Sequence, residues 1–335
     1  MSKTGLTVSF HARNDARLVP FDLPELTAGK VRVKARFTLV SSGTELAYFA
    51  GNHHEVRSKE ATYPMGARGS YSFCGEVVEC GEGVTTVSPG QLVAMMGVHS
   101  SEAVVDESKL MLVPEGVTAP QASFAVVGGI ALHGVRMAGI GVGHSVAVTG
   151  LGLIGQLTAQ ICRIAGAKVI ATDRSAARVR CALKCGIEQG LVVGKKKLAE
   201  SLGRQFPNGI NHAVETSGSQ KALEELLEAL NPEGVISLLG CPHEPVTLDL
   251  YTHLQRKQLR LVGAYQPRCP DEPNAFYPWS KRINRLMILE WIGKGQLDVD
   301  ELLSIKSPPA DVQNLYEQLL KQDEAVAGGI DWTKL

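Results

Sequence analysis

The sequence carries no surplus of either charge. Lys and Arg together number 34, as do Asp and Glu, so the formal net charge over 335 residues is zero. Recognition of a nucleic-acid backbone or an anionic membrane by bulk charge needs a cationic excess, so neither is expected as a partner. The longest basic run, Lys195–Lys197, reads as solvated surface. A disulfide framework is also missing. The seven cysteines (Cys74, Cys80, Cys162, Cys181, Cys185, Cys241, Cys269) are odd in number and scattered, which suits a reducing compartment. The opening MSKTGLTVSFHARND has no apolar core of the kind a secretory signal needs, and a cytoplasmic location is expected. Internal repeats and low-complexity tracts are absent. Two stretches lack charge altogether, Gly116–Val135 and Met137–Cys162, and either is long enough to span a bilayer. Glycines, a proline and histidines interrupt them, and they read as buried core rather than membrane.

What is present is ordinary globular material, 44% hydrophobic and 20% charged, in a length that favours two domains. In the first third, Val31, Val33, Ala35 and Phe37 alternate with Arg32, Lys34, Arg36 and Thr38, the two-residue period of a half-buried strand. Short apolar runs at 76–79, 91–96, 102–105 and 110–113 follow, parted by turn signals such as Gly81-Glu82-Gly83 and Ser88-Pro89-Gly90. This predicts a compact domain of many short strands, antiparallel or barrel-like. Past residue 120 the pattern becomes helix and strand in alternation. The expected elements are a helix over 121–138, a strand at 145–149, a helix at 153–165 and a strand at 168–172. Further strands are expected at 191–193, 212–215, 235–239 and 259–263, with a helix at 220–230. Such alternation with apolar strands is the mark of a parallel, doubly wound sheet. Four prolines between 267 and 278 then predict an irregular loop before a helix over 280–293.

The sharpest local signal is Gly150-Leu151-Gly152-Leu153-Ile154-Gly155, placed between a strand and a helix. In such a motif the first glycine makes the tight turn, the second admits a pyrophosphate to the backbone, and the third lets helix and strand approach. The diphosphate would sit at the helix N-terminus, where unpaired N–H groups and the helix dipole favour negative charge. Asp173 closes the next strand, where a carboxylate accepts hydrogen bonds from a ribose 2′-hydroxyl and repels a 2′-phosphate, so NAD is expected over NADP. Arg174 and Arg178 point the other way, since an arginine there takes a 2′-phosphate.

With these residues the chain resembles the medium-chain dehydrogenase/reductase superfamily along nearly all its length. The blocks that carry the resemblance are Ser41-Ser42-Gly43-Thr44-Glu45, Gly75–Val84 with Val87–Val93, and Ala131-Leu132-His133-Gly134. In the nucleotide domain they are the glycine motif, Asp173, Glu215-Thr216-Ser217-Gly218 and Leu238-Leu239-Gly240. The resemblance implies an α/β protein in which a Rossmann-type parallel sheet is inserted in a split, barrel-like (GroES-like), mainly-β catalytic domain. The boundaries expected are 1–122 and 266–335 for the catalytic domain and 123–265 for the nucleotide domain. It further implies Thr216, Ser217, Gly240 and Ala264 as cofactor contacts and a homodimer or homotetramer. Zinc-dependent members place Cys, His-Glu and Cys or Glu where this chain has Ser42, Tyr71-Ser72 and approximately Val126. No four-cysteine lobe is present either, Met95–Ser108 containing none. No metal is therefore expected. The pattern most resembles a zinc-free branch that includes bacteriochlorophyllide dehydrogenase-like proteins.

Without zinc as Lewis acid, side chains must stabilise the developing alkoxide and move the proton. Ser42, Thr44, Glu45 and Tyr71 are the candidates, Tyr71 standing at a former ligand position. Glu45 reads equally as a structural carboxylate paired with an arginine, and Arg68 reads as that partner or as an anchor for an acidic substrate. His53-His54, in the polar loop Gly51–Thr62, read as an exposed pair or as lining the cleft, His133 as packing or a cofactor hydrogen bond, Cys181 and Cys185 as half-buried packing. Cys241-Pro242-His243 falls short of a metal site. The expected activity is NAD-dependent interconversion of a secondary alcohol and its ketone. The alternatives are an NADPH-dependent enone or quinone reductase and a silent dinucleotide-binding protein.

Overall fold

Nine N-terminal residues with apolar Leu6, Val8 and Phe10 on one face form β1 (Thr4–Ala12), which folds back on β2 (Asp15–Asp22). Asn14 takes the left-handed conformation (φ 60°) that the tight connection demands. The computed structural model describes residues 4–67, 70–194, 198–202, 206–242, 244–322 and 324–335. Arg68, Lys195–Lys197 and His243 thus lie outside the described residues. Contacts divide the chain into two units: Met1–Val127, Arg285–Gly295 and Leu303–Leu335 in one, Gly128–Asn284 and Gln296–Leu302 in the other. The segment 266–284, expected with the catalytic return, groups with the nucleotide-domain elements instead.

In the first unit the alternation at 31–37 becomes β3 (Lys30–Leu39), with Val31, Val33, Ala35 and Phe37 buried and Lys34 exposed. Two polar positions break the period and are buried as well. Arg32 is paired with Glu79 at 2.9 Å, and Thr38 accepts the Trp332 indole N–H at 2.9 Å. After β3 come α1 (Thr44–Phe49), α2 (His54–Arg57), β4 (Met65–Gly66), β5 (Ser72–Cys80), β6 (Leu92–Met95), β7 (Glu102–Asp106) and β8 (Met111–Leu112). β4 pairs with β1, and β3 pairs with both β5 and β7. The helix expected over 121–138 is two pieces, α3 (Ala119–Ala122) and α4 (Ala125–Met137). A capping box of Thr118 and Gln121 starts α3, and the Ser123 hydroxyl donates to the Pro120 carbonyl where the break falls.

The second unit holds β9 (Ser145–Thr149), α5 (Leu153–Ile164), β10 (Lys168–Asp173), α6 (Ala176–Lys184), β11 (Gln189–Val192), α7 (Leu198–Leu202), β12 (Ile210–Glu215), α8 (Gln220–Ala229), β13 (Leu230–Leu238) and β14 (Arg260–Gly263). Its six strands are all parallel, in the order β11-β10-β9-β12-β13-β14. The centre is apolar through and through, with Val146, Ala147, Val148, Ile170, Ala213 and Val214 buried. That is what a sheet covered on both faces requires. The uncharged stretch 137–162 is thus a core strand, turn and helix. No helix among the described residues is long and apolar enough to cross a membrane.

The chain closes with α9 (Lys281–Gly293), β15 (Leu303–Ser307), α10 (Val312–Lys321) and β16 (Ala327–Asp331). β16 pairs antiparallel with β3, completing the sheet β15-β16-β3-β5-β6-β8 with β7 beside β3. The first unit's core draws on both ends of the chain, Phe10 and Phe49 packing on Tyr316 with ring centres 5.2 and 5.3 Å away.

Candidate active site

Strand order in the parallel sheet reverses between β9 and β12, and a doubly wound sheet binds its ligand outside the carboxyl ends of the strands at that point. The glycine motif sits there. Gly150 has φ +89°, and a Cβ on it would lie 2.8 Å from Ser217 Cβ. Gly155 is held tighter: a Cβ there would overlap the Gly150 carbonyl oxygen. Gly152 is the opposite case, with no protein atom within 4 Å of where its Cβ would be. It caps α5 without a side-chain bond, so the opening N–H groups of Leu153, Ile154 and Gly155 are free of a capping side chain. Close packing at two glycines and an open approach at the third suit a diphosphate on this helix end.

Leu151 differs from its neighbours, because its N–H is already spent on Asp173 Oδ2 at 2.6 Å. The other Asp173 oxygen accepts from Ser175 N at 2.7 Å, so the carboxylate ties the β9–α5 turn to the start of α6. Arg174 is exposed and Arg178 half-buried on α6. Thr216 donates its hydroxyl to the Gly150 carbonyl at 2.6 Å and so braces the same turn. Ser217 bonds through N–H (2.7 Å) and hydroxyl to Glu215, and Gly218 N reaches the same carboxylate at 3.0 Å. Burial raises the Glu215 pKa, while the Ser217 and Gly218 donors pull it back. Gly240 and Leu239 donate backbone N–H groups to the Glu215 carbonyl at 2.8 and 2.9 Å, and Ala264 N reaches Leu238 O at 3.0 Å. Thr216, Ser217 and Gly240 therefore converge at the ends of β12 and β13. Glu215, organiser of this turn, was not among the expected site residues, although an acid closing an apolar strand is a legible signal.

The first unit gathers hydroxyls. Ser41 Oγ and Tyr71 OH are 2.5 Å apart, and the Thr44 side chain also hydrogen-bonds the phenol. Burial raises the Tyr71 pKa; the bond to Ser41 lowers it, the Glu45 carboxylate raises it, and the bond to Thr44 lowers it. Ser42 turns elsewhere and donates to the Val326 carbonyl at 3.2 Å. The serine at the phenol is thus Ser41, one position from the expected residue. Glu45 is fully buried, and its partners among the described residues are Ser41 N, His99 and Tyr316; Arg68, the expected partner, lies outside the described residues.

The remaining histidines are distributed. His53 is buried, not exposed, with its ring stacked on Tyr48 at 3.8 Å; His54 is exposed. With Glu55 they place ligand atoms within 4.8 Å of one another. His133 bonds the Tyr277 hydroxyl at 2.8 Å, and burial lowers its pKa. Cys185 is buried and Cys181 partly so.

Zinc at the superfamily's catalytic position would need the donors Ser42, Tyr71, Ser72 and Val126. Ser42 and Tyr71 are hydroxyls already bonded within the protein, Ser72 Oγ is sealed in the interior and Val126 is an apolar core residue. Zinc takes thiolate, imidazole and carboxylate, so this set does not fit it.

The fold is α/β, a parallel doubly wound sheet with a glycine-rich turn at its switch point beside a strand-rich unit, an architecture known from dinucleotide-binding oxidoreductases. The profile of the family described as "Zinc-binding dehydrogenase" matches residues 154–282, a stretch that contains neither Ser42 nor Tyr71. The D-guloside 3-dehydrogenase of Escherichia coli K12 is 28% identical, over 92% of this chain and 93% of its own. Among solved structures, a "short chain alcohol dehydrogenase" from E. coli CFT073 complexed with NADH superimposes with TM-score 0.82 at 18% identity, covering 99% of this chain and 100% of that one. The galactitol-1-phosphate dehydrogenase of E. coli does so with TM-score 0.82 at 18% identity, over 97% and 99%. The profile, the relative and the solved structures agree in kind: this chain is similar to dehydrogenases of the zinc-binding type.

Proposed function

We propose that this dehydrogenase interconverts a secondary alcohol of a polyol, sugar or ring and its ketone, using NAD(H) and no zinc. The observation that carries the reading is the Tyr71 hydroxyl, bonded to Ser41 at 2.5 Å and to Thr44, at a place where a metal would need different donors. When bound, the nicotinamide accepts or gives the hydride. The α5 N-terminus and Gly152 hold the diphosphate, and the outer edge of Asp173 takes the ribose hydroxyls. Tyr71 donates a hydrogen bond to the substrate oxygen and gives it a proton as the carbonyl is reduced. Ser41 and Thr44 then resupply the phenol. The sugar and polyol relatives support the substrate class. Among the described residues β14 is an edge strand of the parallel sheet, which supports assembly through that strand.

The test is NAD-linked turnover of a panel containing a D-guloside, galactitol and butane-2,3-diol, with protein dialysed against a chelator. Turnover that survives chelation, and that falls about a hundredfold or more in Tyr71→Phe, is expected. Stoichiometric zinc lost together with activity would overturn the reading. Arg174 and Arg178 near Asp173 favour NADP and, with it, double-bond reduction; a product with a reduced C=C would establish that alternative.

A further inference from the structure

Every oxygen of the Glu45 carboxylate is spoken for. Oε1 accepts the Ser41 N–H at 2.5 Å; Oε2 accepts from His99 Nε2 at 2.8 Å and from the Tyr316 hydroxyl at 2.6 Å. The three donors come from distant parts of the chain: the turn after β3, the segment before β7, and α10. All of Glu45, His99 and Tyr316 are shut off from solvent. His99 Nδ1 is buried with no hydrogen-bond partner among the described residues, so the bond the ring makes through its nitrogens runs from Nε2 to Glu45. Burial, reinforced by the Glu45 charge and hydrogen bond, raises the Tyr316 pKa well above the ordinary phenol, which keeps it a donor. Isolated buried carboxylates are costly, and one held by this much apparatus calls for a use.

We infer that Glu45, clamped by His99 and Tyr316, is a positioning residue that fixes Ser41 and thereby the Tyr71 hydroxyl for proton transfer. The inference rests on the reading of Tyr71 given under Proposed function. Glu45 grips the backbone of the same residue whose side chain touches the phenol, so the turn at Ser41 cannot swing without breaking a charge-assisted bond. Among the described residues, Ser41, Thr44 and the charge of Glu45 stand near Tyr71. A fixed anion there disfavours tyrosinate, so the clamp that aims the phenol also keeps it protonated, as a proton donor to a developing alkoxide must be.

The decisive measurement is an NMR pH titration of protein carrying ring-labelled [ζ-13C]tyrosine, the Tyr71 resonance being assigned by its loss in Tyr71→Phe. It is paired with kcat and KM on the best alcohol of the panel above. Glu45→Gln is expected to titrate Tyr71 at lower pH than the wild type and to lower kcat roughly ten- to a hundredfold with little change in KM. Glu45→Asp should restore the titration toward the wild-type pH. A folded Glu45→Gln protein with Tyr71 titration and kcat both as in the wild type would overturn the inference. Should the Gln variant not fold, Tyr316→Phe keeps the charge and loosens the clamp. A several-fold fall in kcat at unchanged NAD affinity is then expected, and an unchanged kcat overturns it. Full turnover in Tyr71→Phe would instead remove the catalytic reading itself; an inactive Tyr71→Phe beside an unaltered Glu45→Gln would remove only the positioning role.

Discussion

Asp173 binds two backbone N–H groups with its two oxygens, Leu151 N at 2.6 Å and Ser175 N at 2.7 Å. On the proposed reading of Asp173, replacing it removes a carboxylate that repels a 2′-phosphate, and it also removes the bonds that tie the turn before Gly152. Asp173→Ser should therefore weaken NAD binding and move the NAD-to-NADP preference toward NADP by about tenfold or more, as read by fluorescence titration with both cofactors; unchanged discrimination would clear Asp173 as the reader. Gly155 admits no such grading, because any side chain would meet the Gly150 carbonyl. Gly155→Ala should lose cofactor affinity and thermal stability together. At this scale Gly150, Gly152 and Gly155 were legible in the sequence, since the spacing itself encodes the turn. Ser41 against Ser42 was not: two adjacent serines differ only in where the backbone after β3 aims them, and no period governs a turn.

Among the elements, β3 is the one on which the first unit depends, with β5 and β7 beside it and β16 returning from the far end of the chain. Its Thr38 accepts the indole N–H of Trp332 at 2.9 Å inside the core. Thr38→Val keeps the shape and strands that buried donor, so a loss of about 1–3 kcal/mol is expected in chemical denaturation. A loss below the experimental error would mean the indole finds another acceptor. The apolar alternation that betrayed β3 in the sequence is blind to such a pair, because Thr38 and Trp332 lie 294 positions apart in the chain. The hairpin β1–β2, α10, β15 and β16 were not anticipated either. Helix α10 does carry a legible signal, Val312, Leu315, Tyr316 and Leu319 at helical spacing, whereas β16 owes its place to β3, remote in sequence.

For the whole molecule, acid sensitivity has an identifiable source. His212 in β12 lies with its ring 4.0 Å from that of His144, nearly parallel. Burial first, then the charges of His144 and Arg260, depress its pKa from 6.5 to about 4. The folded state thus holds His212 neutral while the unfolded chain binds a proton below about pH 6.5. Its contribution to stability is present above that pH and is lost as pH falls toward about 4. Melting temperature should drop across this window, and His212→Asn should flatten the drop; an equal drop in the variant would place the sensitivity elsewhere.

Composition, apolar period and glycine spacing determined the class of this protein: a parallel sheet with a dinucleotide cradle, joined to a strand-rich unit. Those are local properties, written within a turn or a strand of one another. Only the tertiary structure decided which groups bond Glu45, which serine meets Tyr71, and that residues 266–284 group with the strands of the parallel sheet. Each depends on contacts between segments far apart in the chain, and a buried hydrogen bond to a distant donor leaves no trace in the local sequence.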